Sequence, residues 1–104
     1  MSGPGTALAR VCGQLLSVGF DGTEPPDDLL RRIADGHVGG VMLFRPNIAG
    51  PVQVAALVAR LRGVAPPAAP LLVSVDQEGG LVQRLRAPLT VWPDMLSVAG
   101  EGDR

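Results

Sequence analysis

Aromatic side chains make up only 3% of this 104-residue chain, so aliphatic packing must supply any core. There is one cysteine, Cys12, which excludes an internal disulfide and suits a reducing compartment. No base lies near it in sequence, so Cys12 reads as a buried thiol rather than a nucleophile. His37 is the single histidine, and no metal-ligand spacing appears, so no metal site is expected. A net charge of −1, with arginines scattered rather than striped, gives no electrostatic case for nucleic acid or an anionic membrane as partner. No apolar run approaches the roughly 20 residues of a membrane helix. Arg10 interrupts the N-terminal apolar segment and no signal-peptide pattern is present, so a cytoplasmic location is the default expectation. The glycines form neither G-x-G-x-x-G after a strand nor a phosphate loop; a Rossmann-like nucleotide binder is disfavoured and no cofactor is expected.

What is present is an ordinary apolar fraction, 46%, which argues against disorder. The 14 glycines and 10 prolines fall largely between the apolar runs, where loops belong. The length allows one domain at most. Residues 1–5 should fray, and Thr6 should cap a short helix through Cys12, with Leu8 and Val11 on one face. Gln14 to Phe20 reads as a first strand. Pro25-Pro26-Asp27-Asp28 opens a helix with Leu29, Leu30 and Ile33 as its apolar face, and Gly36 ends it. Val38 to Phe44 reads as a second strand, whose glycines permit close backbone approach. Pro51 starts a helix with Val54, Leu57, Val58 and Leu61 at helical spacing. Residues 63–70 form a proline-rich connection to a third strand, Leu71 to Val75. Ala87 to Pro93 reads as a loop, and Asp94 could cap a last helix from Met95. Strands alternating with helices make the fold class α/β, with parallel strands.

The third strand leads straight into Asp76-Gln77-Glu78-Gly79-Gly80-Leu81-Val82-Gln83-Arg84. Asp76 would sit at a strand's C-terminal end, where parallel α/β folds bind ligands, and the two glycines let the chain turn sharply. This V-D-Q-E-G-G-x-V-Q-R stretch resembles the signature of glycoside hydrolase family 3, most closely its bacterial β-N-acetylhexosaminidases. Residues 13–22 are similar to the family's first strand and residues 36–44 to its second. The resemblance implies the first three parallel strands, with intervening helices, of a partial TIM-type (β/α)8 barrel. Residues 1–104 would then be the N-terminal portion of an incomplete barrel domain, since a whole barrel takes about 250 residues. The implied activity is retaining hydrolysis of terminal β-linked N-acetylglucosamine from peptidoglycan fragments. The expected partners are an N-acetylglucosamine-containing saccharide and the missing barrel portion. A non-catalytic sugar-binding or interaction module is the alternative.

Carried over residue by residue, Asp76 matches the aspartate that accepts hydrogen bonds from sugar hydroxyls, a task that suits an acceptor-only carboxylate. Capping the turn is its purely structural alternative. Arg84 matches the arginine that reaches the sugar subsite; an ion pair to Glu78 or Asp76 is the alternative. Glu78 reads as structural, because retaining glycosidases need two carboxyls about 5–5.5 Å apart flanking the bond, and one tight turn rarely straddles a sugar. No catalytic residue is assigned. The family's acid/base histidine lies in a K-H-F-P-G-H-G-like loop and its nucleophile in a later strand, and these 104 residues contain neither. His37 precedes the second strand, at the face where residues serve stability. Arg45 and Asn47 could rim the pocket or lie in a solvated loop, and Trp92 could stack on a sugar, with packing under the barrel rim the expected reading. Relatives often carry arginine where this chain has Leu81, so a sugar contact from that position is not carried over.

Overall fold

A parallel strand buried on one side must alternate, and the alternation here organises the chain. The computed structural model describes residues 4–101. In chain order these form α1 (Pro4–Gln14), β1 (Ser17–Val18), α2 (Asp27–Ala34), β2 (Gly40–Leu43), a 3-10 turn (Arg45–Asn47), α3 (Pro51–Gly63) and β3 (Leu72–Val75). A hairpin of β4 (Gln77–Gly79) and β5 (Val82–Gln83), then α4 (Met95–Glu101), complete it. The sheet order is β1-β2-β3, all parallel, which bears out the α/β class. Val18, Val41 and Val73 align across the strands, as do Leu43 and Val75. That face meets Leu29 and Ile33 of α2 and Leu57 and Leu61 of α3 in one aliphatic core, with Val38 and Leu71 at its edge.

The helices follow from local chemistry. In α2, Asp27 and Asp28 sit in the first turn and Arg31 and Arg32 in the last, each sign matched to the end of the helix dipole. It stops where expected: His37 N–H donates to Arg32 O at 2.9 Å and Gly36 N–H to Ile33 O at 3.0 Å, the paired bonds of a Schellman motif. Proline begins α3 and Leu57 and Leu61 are its buried stripe. Gly39 answers to sterics: a Cβ there would collide with the Gln14 carbonyl, so the close approach is to the end of α1.

Three expectations need correction. Helix α1 starts at Pro4, so Pro4 and Gly5 are helical and Thr6 lies inside rather than capping; residues 1–3 and 102–104 lie outside the described residues. The first strand shrinks to Ser17–Val18, because Gln14 closes α1 and spends its amide on Gly36 O (2.8 Å) and Val38 O (3.3 Å). Cys12 is exposed rather than buried. Arg10, Gly13 and Gln14, spaced three and four apart, form the edge of α1 that meets the 36–39 turn, and Cys12 points off that edge. No helix among the described residues is long and apolar enough to cross a membrane.

Candidate functional site

The loops at the C-terminal ends of β2 and β3 are held by buried amides. After β2, Asn47 is wholly buried. Its Oδ1 accepts from Phe44 N–H at 2.8 Å, and its Nδ2 donates to Phe20 O (2.8 Å) and Gly22 O (2.7 Å). One side chain thus ties the loop after β1 to the loop after β2. Gln53, on the first turn of α3, extends the tie by donating to Asn47 O at 2.9 Å and accepting from Ala49 N–H at 2.8 Å. Asn47 is therefore neither a pocket-rim residue nor part of a solvated loop; buried amides are kept because each polar atom has a partner.

After β3 the chain makes the β4–β5 hairpin, which propensity did not foresee: its strands are only three and two residues long and carry no apolar alternation. The turn itself was legible. Gly79 has φ +97°, and a Cβ there would collide with the Pro93 carbonyl. Gln83, 1% exposed, holds the hairpin to the following loop. Its Nε2 donates to Leu85 O (2.9 Å) and Thr90 O (2.8 Å), and its Oε1 accepts from Trp92 N–H (2.9 Å). Gly80 N–H adds a bond to Trp92 O at 2.8 Å. Trp92 is fastened by its backbone alone; its side chain is 54% exposed, so it does not pack under a rim within this chain.

Between these two loops lies a cleft of about 570 Å3, walled by Arg45, Ile48 and Gly50 on one side and Gly80, Arg84 and Arg86 on the other. That volume falls in the ordinary range of small-molecule sites. Arg84 is half-buried, and its Nε has neither solvent nor a hydrogen-bond partner. Such a donor costs about 1–3 kcal/mol if left unpaired, so a water, a ligand or a protein group outside these residues must take it up. The ion pair among the described residues is Arg60–Glu24 at 2.7 Å, so Arg84 is paired with neither Asp76 nor Glu78. Asp76 is half-buried directly after β3, and Glu78 is exposed on β4; neither lines the cleft. The structure thus brings Arg84 and Arg45 to one cleft and leaves Asp76 out of its lining. Leu81 stands 92% exposed at its mouth. His37 lies before β2, away from the cleft. At α4, Asp94 caps as expected: Ser97 N–H and Oγ–H each donate to its carboxylate at 2.9 Å, and these bonds, the backbone one first, hold its pKa below the usual aspartate value.

Residues 7–104 match the model of the glycosyl hydrolase family 3 N-terminal domain. The chain belongs to glycoside hydrolase family 3. Its β-hexosaminidase relative from Thiobacillus denitrificans is 49% identical over 77 residues, which are 74% of this chain and 21% of the relative. A solved family 3 β-N-acetylglucosaminidase from Paenibacillus sp. strain FPU-7 superposes with a TM-score of 0.80 at 44% identity, over 92% of this chain and 19% of that one. NagZ from Neisseria gonorrhoeae, in complex with N-trifluoroacetyl-D-glucosamine, gives 0.75 at 28% identity, over 86% of this chain and 26% of that one. The three parallel strands and their helices are therefore a partial region of a (β/α)8 barrel. The chain spans about a fifth of the length of the curated relatives it matches.

Proposed function

We propose that residues 1–104 are the N-terminal portion of a barrel domain and form part of the sugar subsite of a cytoplasmic β-N-acetylglucosaminidase. Its substrate would be terminal β-linked N-acetylglucosamine on peptidoglycan fragments, cleaved with retention. The observation that carries this reading is Arg84: a buried, unpartnered guanidinium nitrogen in a cleft between the loops that follow β2 and β3. In a (β/α)8 barrel those loops belong to the face that binds substrate. Asp76, at the end of β3, supplies the acceptor for sugar hydroxyls. Support for the sugar comes from the Neisseria protein's complex with an N-acylated glucosamine and from the β-hexosaminidase relatives. These 104 residues would bind rather than cleave, the acid/base and nucleophile coming from the remaining barrel portion as partner.

A chimera tests this, with the matched segment of the Thiobacillus relative replaced by this chain's. Asp76→Ala there should lower kcat/KM roughly ten- to a hundredfold, the loss of a charge-assisted hydrogen bond worth about 1.5–3 kcal/mol, with Tm held. Glu78→Ala should leave kcat/KM unchanged. Full activity in the Asp76→Ala chimera would end the subsite assignment.

A further inference from the structure

Arg84 is bracketed by two residues that side-chain amides hold in place. On one side is Gln83, paired with Gln77 across the hairpin and buried with its three amide bonds. On the other is Leu85, beyond the last rung of the β4–β5 ladder. There the Gln77 side chain takes over. Its Nε2 donates to Leu85 O at 2.6 Å and its Oε1 accepts from Leu85 N–H at 3.0 Å. A side-chain amide has the same donor and acceptor as a peptide group, so Gln77 adds one more rung to a ladder too short to reach Leu85 by itself. Two amides converge on the Leu85 carbonyl, where one would satisfy it.

We propose that Gln77 and Gln83 form a clamp whose task is to position Arg84. The two glutamines differ in a way that separates positioning from folding. Gln83 is wholly buried, so losing it damages the hairpin. Gln77 is exposed, so losing it removes the two bonds to Leu85 and little packing. Neither glutamine needs to touch a ligand for this role. Fixing both neighbours of Arg84 limits where its backbone can go, and its Nε–H then stays buried without a partner to hold it there. Pre-organisation of this kind lowers the ordering cost that binding would otherwise carry.

The inference about a ligand rests on Arg84 belonging to the sugar subsite, and the test separates the two ideas. In the isotope-labelled chimera described above, the Arg84 Nε–H resonance should be sharp and slow to exchange. Gln77→Ala should broaden or abolish it with the unfolding midpoint unchanged, while Gln77→Glu, which keeps the acceptor for Leu85 N–H, should retain it in part. Titrated N-acetylglucosamine should bind the Gln77→Ala chimera roughly two- to tenfold more weakly, the range for one or two net hydrogen bonds. In turnover by the same chimera, Gln77→Ala should raise KM by the same factor and spare kcat, the signature of lost uniform binding. An unchanged Arg84 signal in Gln77→Ala, or an unchanged KM in the Gln77→Ala chimera whose Arg84→Ala counterpart binds poorly, would overturn the clamp. A lost Arg84 signal with N-acetylglucosamine affinity untouched even by Arg84→Ala would keep the clamp and overturn the sugar reading.

Discussion

The two faces of the three-stranded sheet are built from the same strands by alternate residues, yet only one of them is covered. On the face toward α2 and α3, Val41 is fully buried and Leu43 nearly so. On the opposite face the aligned residues are Ser17, Gly40 and Leu72, then Met42 and Ser74, and Leu72 is 67% exposed. In a closed barrel that second face points inward and is filled by side chains from the other strands. Among the described residues it has no opposite wall, and the radius of gyration, 17.0 Å, exceeds the roughly 13 Å of a compact domain of this length. Helix-to-sheet packing is thus local, supplied by each βαβ unit, whereas the interior of a barrel is a property of all its strands.

Substitutions on the two faces should break that symmetry most visibly. Leu61→Ala, at a fully buried position of α3, removes aliphatic volume from the covered face and should cost about 2–5 kcal/mol, enough to unfold a marginal domain. Leu72→Ala, the same chemistry on the open face, should stay within about 0.5 kcal/mol. Urea melts of the two variants decide it: equal losses would mean that Leu72 is packed as well. A smaller effect sits at α4, away from both faces. The Asp94 carboxyl has its pKa lowered in the fold by the Ser97 bonds. Its contribution is therefore complete above the ordinary aspartate value, about 3.9, and is lost as pH falls below that through the depressed value. The Ser97 amide resonance, followed on acidification, should report the loss of the cap in that range, and Asp94→Asn should remove the dependence.

Much of the covered face was legible. The spacing of Leu57 and Leu61, the paired aspartates ahead of Leu29, and the apolar runs of the second and third strands state their partners directly. Asp94, Gly36 and Gly79 were legible because a cap or a tight turn demands particular chemistry. Asn47, Gln77 and Gln83 were not, since an amide that bonds to a distant backbone leaves no periodic trace in sequence. Cys12 misled because its burial depends on what covers α1, and near it only Gly13 and Gln14 are covered among the described residues. Of the two residues that the motif singled out, Arg84 lines the cleft, whereas Asp76 lies at the end of β3 and does not line it.

Sedimentation velocity of the purified 104-residue chain across a concentration series, read beside its thermal unfolding, tests the open face most directly. Exposed Leu72 and the unpaired outer edge of β3 are templates for association. The expected result is concentration-dependent self-association with a broad, weakly cooperative transition, both relieved when the remaining barrel portion is supplied in trans. A monodisperse monomer with one sharp transition would contradict it, and would show that these residues close a core of their own.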